Sequence, residues 1–467
     1  MAKRSGNTWS NRSTGLAKPC ANVKRHFPQD TICTLGWPSG RPGEDFVMAK
    51  KARKSITPAF RSSAQLLVET AGKRAKALHQ QGRYEEALNV CLQAIRMSPG
   101  LTQAWTDAAI NCLKLERWQQ AVGYAEQALA RGGHSFALFD ALSHGHGALR
   151  QWEDVRKYGL MALQLRDQRF GVTPAAPHAA AEMPPLPSTQ TRAKNVIAFS
   201  LFGADSKYCE TAVLNVIEQP MIYPHWTCRF YIDDSVPSSV VERLVAAGAQ
   251  VIQVDEQAHG WPGPMWRFLA LQDEHLHRVL FRDADSVIST READAVEEWL
   301  HSDCRFHGMR DCGTHTELML AGLWGVVAGA LPPLEQLTQS FFSAGVESQH
   351  FADQYFLRQC VWPYARQSLL QHDSMFGFMQ ARTFPGGPMP TDFHVGYAEG
   401  SPLFKAQAEW ADGTPVQWTL LLKQAEQEVV VCRYPGVVKA GLVTAHIPAR
   451  FARMISRAQA EVRLQML

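Results

Sequence analysis

Two carboxylates two residues apart, Asp283 and Asp285, follow the short apolar run Val279–Arg282 and precede a second apolar pair, Val287 and Ile288. At the end of a strand, where the chain turns, both carboxylates converge on one point. Paired oxygen donors there suit a hard divalent cation that keeps positions open for substrate phosphates. Arg282 adds a neighbouring charge that would only tune such a site. Three further carboxylates, Asp311, Asp353 and Asp373, are candidates for a general base or a contact to a donor group. Ser200, Phe202 and Tyr208 fall at the tail of an apolar run and in the helix that follows it, where a Rossmann-like first strand meets a nucleotide base. No GxGxxG accompanies them, so dinucleotide binding is not supported.

These residues need a scaffold, and strands alternating with helices supply it. Asn195–Gly203 reads as a strand buried on both faces. Arg229–Ile232 and Ala249–Val254 are further strands, and an amphipathic helix runs from Pro237 to Ala247. The alternation implies a parallel α/β sheet. Glu292–Ser302 reads as a helix, Ala321–Val327 as a strand, Thr419–Arg433 as a hairpin, and a C-terminal helix follows.

Upstream, the chain repeats. Tyr84, Trp118 and Trp152 are spaced by thirty-four residues, as are Ala87, Ala121 and Val155, and Ala94, Ala128 and Ala162 keep that register. Small residues let antiparallel helices approach closely, and the aromatics fill gaps between neighbouring units. A concave solenoid face of this kind takes a peptide or partner; otherwise the helices dock on the rest of the chain or mediate self-association. Residues 171–193, with five prolines, form a linker that keeps the two cores apart. Residues 1–62 carry twelve Lys or Arg against three acids and hold no period. They read as a disordered basic arm, a transit peptide or nucleic-acid arm, or an over-extended start upstream of Met48.

Composition agrees with a soluble, reducing, cytoplasmic setting. Across 467 residues, apolar types make up 46% and charged types 19%, and a net charge of +3 gives no electrostatic case for nucleic-acid binding. The ten cysteines show no CxxC pair, and the expectation is of no Cys/His zinc spacing. No apolar run is long enough to span a bilayer.

Two resemblances follow from these motifs. Gly82, Tyr84, Ala87, Ala94, Pro99 and Trp105 resemble a tetratricopeptide (TPR) repeat, giving units at 68–101, 102–135 and 136–169. Asp283-Ala284-Asp285 resembles the DxD motif of GT-A-fold glycosyltransferases. Ala321–Gly325, the pair Asp353-Gln354 and the segment Phe393–Tyr397 follow in an order similar to the glycogenin and bacterial galactosyltransferase family. That resemblance implies Mn²⁺ or Mg²⁺ on Asp283 and Asp285, with His394 as a third ligand. It implies a nucleotide-sugar donor, a UDP-sugar by analogy, held by Ser200, Phe202, Tyr208, Arg267 and Gln354. Trp266 would pack against the base, although Arg267 beside core Trp and Phe reads equally well as a surface arginine. Gly322 and Gly325 would bring backbone close to ligand. The family's KPW after its His-Gly element is absent, replaced by Ala398–Pro402, which leaves the diphosphate contact unassigned.

The expected fold class is α plus α/β: a three-repeat TPR-like solenoid (63–170), the linker, a GT-A-like Rossmann-like domain (194–404) and an extension (405–467) with no assigned role. The expected function is metal-dependent sugar transfer to an unknown glycan, lipid or protein acceptor. The rivals are a TPR scaffold with a catalytically dead domain and a nucleotidyltransferase, which also uses paired carboxylates and a metal.

Overall fold

The computed structural model describes residues 63–172, 182–346, 348–387, 393–424 and 427–467. The basic arm at 1–62 and part of the proline-rich stretch, at 173–181, lie outside the described residues.

Six helices open the fold: α1 (Ser63–Gln80), α2 (Tyr84–Met97), α3 (Thr102–Lys114), α4 (Trp118–Ala130), α5 (Phe136–Ala148) and α6 (Trp152–Phe170). They pair as antiparallel hairpins. Ala87, Ala121 and Val155 sit in the same column with no exposed surface, as close helix packing requires. The backbone carries the period as well. Gly82, Glu116 and Arg150, thirty-four residues apart, all adopt positive φ (74°, 57° and 60°). At each, the next residue's N–H reaches back five positions, from Arg83, Arg117 and Gln151 to the carbonyls of Leu78, Cys112 and His146. This is a Schellman C-cap repeated three times. Only the first repeat meets the left-handed position with glycine.

Helix α6 serves two cores. Tyr158 and Ala162 pack within the helical repeats, whereas Val155 and Leu163 join the core beneath the sheet. Asp167 accepts hydrogen bonds from Trp362 Nε1 (2.8 Å) and Arg366 Nε (3.0 Å). The expectation that the linker keeps the cores apart is therefore corrected. The last repeat is built into its neighbour by apolar Val155 and Leu163 together with the Asp167 carboxylate.

The α/β region runs β1 (Asn195–Leu201), α7 (Ser206–Ile222), β2 (Thr227–Ile232), α8 (Ser238–Ala246), β3 (Gln250–Gln253), α9 (Glu256–His259), a 3-10 segment Gly263–Gln272, β4 (Arg278–Phe281), α10 (Thr290–Leu300), β5 (Phe306–Arg310), β6 (Trp324–Val327), α11 (Leu334–Ser343), α12 (Ala352–Phe356), α13 (Trp362–Ala365) and β7 (Leu369–Asp373). Seven strands form one sheet in the order β3-β2-β1-β4-β6-β5-β7. The sheet is mixed, not parallel: β6 runs antiparallel to both β4 and β5. The β5–β6 connection, residues 311–323, contains no helix, and a parallel return would need a helical crossover. Register then sets the site. Phe281 pairs with both Ala198 and Trp324, so Ser200, Asp283 and Gly322 stand side by side, two residues beyond.

The C-terminal residues add β8 (Leu403–Gln407), β9 (Pro415–Gln424), β10 (Gln427–Val437), β11 (Leu442–His446), α14 (Ala449–Ser456) and β12 (Ala460–Met466). The expected hairpin is β9–β10 and the expected C-terminal helix is α14; one more strand follows it, and β12 pairs with β9. Phe404, Val416, Trp418, Leu420 and Tyr434 share one core with Phe199 and Leu201 of β1. Buried Glu210 of α7 binds Arg243 through both carboxylate oxygens (2.7 and 2.8 Å) and accepts the Tyr434 hydroxyl at 2.6 Å.

Candidate functional site

A cavity of about 320 Å³ opens at the tips of β1 and β4, within the range of small-molecule sites. Its lining includes Ser200, Phe202, Tyr208, Arg267, Asp283, Asp285, Asp353, Gln354 and His394. Nine of the eleven residues singled out in the sequence thus meet in one place. They come from distant segments because sheet register aligns the strand ends.

Arg267 is the hub. It is only 3% exposed, so the surface-arginine alternative is discarded. Its backbone N–H donates to Ser200 Oγ at 2.9 Å, Nη1 donates to Asp283 Oδ1 at 2.5 Å, and Nη2 donates to Asp353 Oδ2 at 2.6 Å. Burial raises the Asp353 carboxyl above its ordinary range, against the pull of the Arg267 guanidinium. On the other carboxylate of the pair, Asp285 Oδ2 lies 3.3 Å from Lys207 Nζ. Lys207 opens α7, where the Asp205 side chain accepts its N–H at 2.8 Å. Gly322 has a definite reason to be glycine: a Cβ there would lie 2.0 Å from Asp283 Oδ2.

Several expectations are corrected. Asp311 does not line the cavity; it accepts two hydrogen bonds from Arg291 (both 2.9 Å), one from Ser374 Oγ (2.6 Å) and one from the Val395 amide (3.0 Å). Asp373 is likewise outside it, accepting the Met375 and Phe376 amides at 2.7 Å each. Both carboxylates are occupied in fixing loops. Gln354 does line the cavity, but its Oε1 accepts the Ala321 amide at 2.9 Å and its Nε2 donates to the Met319 carbonyl, so it shapes the wall. Trp266 is core, donating to the Ala258 carbonyl at 2.8 Å; the ring at the lip is Phe202, 41% exposed and edge-on to Trp266 at 5.5 Å. Gly325 faces Leu280 and Trp299 inside the sheet, not a ligand. Arg282, 1% exposed, is paired with Glu292 at 2.8 Å and is structural.

His394 does not complete a ligand set with the two aspartates. Among the described residues, the group of three His, Cys, Asp or Glu close enough to share an ion is Cys312, His315 and His394. The expectation of no Cys/His zinc spacing is thereby corrected: Cys312 and His315 form a Cys-x-x-His.

The wall loop 311–323 is gripped by the helical repeats. Ser143 Oγ of α5 donates to the Gly313 carbonyl at 3.0 Å, and a Cβ on Gly313 would stand 2.9 Å from Val155 Cγ1 of α6. Arg166 of α6, fully buried, binds Asp140 through both oxygens (2.9 and 2.6 Å) and lies 3.2 Å from Glu317 Oε1. Glu317 lines the cavity. Lys207, His315 and Glu317 are thus site residues that sequence reasoning missed. Two of them left a signal: Lys207 is a cation in the first turn of the helix after β1, and His315 closes a Cys-x-x-His.

No family model matches the chain, and neither does any curated protein at a significant level. Solved structures similar to it include the second TPR domain of human RPAP3 in complex with an HSP70 peptide, at 16% identity over 22% of this chain and 86% of that one, with a TM-score of 0.21. A Thermobaculum terrenum O-GlcNAc transferase mutant is 12% identical over 48% of this chain and 51% of its own, with a TM-score of 0.26. YrrB, a TPR protein with an unusual peptide-binding site, is 20% identical over 23% of this chain and 63% of its own, with a TM-score of 0.20. The chain thus spans about half of the transferase structure.

Proposed function

We propose that the cavity binds a nucleoside diphosphate sugar and that the protein is a glycosyltransferase acting on an acceptor that enters from the open side. What carries this reading is the convergence of Asp283, Asp285, Arg267 and Asp353 on one cavity beneath an exposed aromatic ring at its lip. Phe202 and Tyr208 offer stacking faces to a base. Lys207 and Arg267 supply cationic donors for a diphosphate, filling the role left open by the missing KPW. Asp283 and Asp285 are hard oxygen donors, and the space that glycine leaves at residue 322 keeps the first of them accessible; they fit Mn²⁺ or Mg²⁺. That ion, when bound, neutralises charge on the leaving diphosphate. Asp353, alone among the three spare carboxylates, is at the cavity and is our base for the acceptor hydroxyl; its raised pKa suits that task. The helical repeats are proposed to bring a protein partner on their concave face.

Binding of UDP and hydrolysis of UDP-sugars, with Mn²⁺ and with chelator, test the reading. Asp283→Asn and Asp285→Asn keep shape and remove charge. Metal-dependent UDP affinity is expected to fall about a hundredfold, roughly 2.8 kcal/mol, with the fold unchanged by circular dichroism. A parent protein that binds no nucleotide would favour the scaffold reading, which the internal pairing of Asp285 with Lys207 and of Asp283 with Arg267 also suits.

A further inference from the structure

The cavity wall holds a second set of donors with different chemistry. Loop 311–323 carries Cys312 and His315, and the turn after Phe393 brings His394 beside them. One ligating atom from each lies within 4.8 Å of the others, and the two imidazoles stack with centroids 5.1 Å apart. We propose that Cys312, His315 and His394 form a binding site for a soft divalent transition metal of the zinc class, separate from any ion at Asp283 and Asp285.

The donor set argues for this division. One sulfur and two imidazole nitrogens select zinc-like ions in tetrahedral sites, whereas paired carboxylates select hard ions with oxygen shells. One neighbour, Thr314, is placed as an outer-shell group would be. Thr314 Oγ1 donates to Cys312 Sγ at 3.4 Å, which orients the sulfur and favours its anionic form. His394 Nδ1 is buried and has no hydrogen-bond partner, so ligation there displaces nothing. His315 Nδ1 accepts the Asp311 amide at 3.1 Å; its ligation exchanges that hydrogen bond for a bond to the ion. A metal of this class takes imidazole as the neutral base and cysteine as the thiolate. Binding therefore releases the thiol proton to solvent, and the cation supplies the charge compensation that burial denies to a bare thiolate.

Three protein ligands leave a fourth position. His315 and His394 line the cavity while Cys312 does not, so the ion is reached from the cavity. Sites with three protein ligands are the open kind, which take water or an anionic oxygen as the fourth ligand. The inference stands on these side chains alone and does not depend on nucleotide binding.

Cobalt tests it, because a cobalt–thiolate bond gives a near-ultraviolet charge-transfer band. The full chain is stripped with chelator and titrated anaerobically with Co²⁺. One equivalent is expected to bind with that band and tetrahedral visible absorption, and Zn²⁺ should displace it. The band should vanish in Cys312→Ser and weaken in affinity at least tenfold in His394→Gln, which keeps the thiol. It should persist in Asp283→Asn and Asp285→Asn. Circular dichroism confirms that each variant is folded, and if Cys312→Ser does not fold, the His394→Gln affinity decides alone. Absence of the band from the folded parent overturns the proposal, as does a band that survives in Cys312→Ser. Loss of the band in the aspartate variants would mean one shared ion and would overturn the separate site. UDP affinity, measured alongside, reports on the nucleotide reading independently.

Discussion

The helical repeats and the cavity wall are built by opposite means. In the repeats, one local rule recurs: a small residue at the helix contact, an aromatic three residues earlier, a left-handed C-cap. Loop 311–323 has no internal rule; its shape is dictated by Gly313 against α6, Glu317 beside Arg166, and Gly322 beside Asp283. A periodic structure tolerates a defect in one unit, since each unit contacts only its neighbours. A loop held by single contacts from several elements does not.

Arg166 is where the two regimes meet, and breaking it should have the largest effect. Arg166→Met leaves Asp140 buried without its cation and Glu317 with Arg358 alone, 3.5 Å away, at about 3–5 kcal/mol. Urea unfolding followed by tryptophan fluorescence should show that loss, and UDP affinity measured under native conditions should fall with it. Full affinity in a destabilised variant would separate the repeats from the site.

Next comes a titration confined to the repeats. Asp107, buried in α3, has its pKa pushed up to about 7, by burial first, against a hydrogen bond from Gln103. The folded state thus holds a proton that the unfolded state releases from about pH 4 upward. Stability should fall between about pH 4 and 7, by at most about 1.4 kcal/mol per unit from this group. Asp107→Asn should remove that part of the slope; an unchanged pH profile would refute the assignment.

Trp118→Ala sharpens the contrast. Trp118 is half-buried in the middle repeat, not core, so its loss should cost about 1–2 kcal/mol. UDP binding should be unaffected, because α4 lies one hairpin away from α6. The smallest effect is a gain. Glu116→Gly and Arg150→Gly place glycine at exposed left-handed positions, and each should raise stability by about 0.5–1 kcal/mol, read as a higher melting temperature.

What the sequence disclosed follows the same division. Local signals sufficed for the helical hairpins, for β1 and β2, and for Asp283 at the end of β4. Motif order links Asp283 with Asp353, whereas Ser200 is placed by its strand end and Arg267 by the resemblance, since register between distant strands has no local signature. Asp311 and Asp373 misled because a carboxylate that binds an arginine or caps a turn looks the same, in one dimension, as one facing a cavity. The polarity of β6 escaped because a loop's length had to be read together with its lack of helical pattern. Cys312 and His315 were overlooked because their third companion, His394, is far along the chain. Lys207 is legible as a cation in the first turn of α7, but its role needs Asp285 beside it.

Helix α6 also sets which way this architecture can change over evolutionary time. Its Val155 and Leu163 belong to the sheet's core as much as to the repeat that contains them. A duplication that inserts new hairpins between α6 and the sheet would separate Arg166 from Glu317 and strip the wall loop of its support. Hairpins added ahead of α1 would touch none of these contacts. The array is therefore free to lengthen at one end only, and recognition surfaces can be acquired there without disturbing the chemistry at the other.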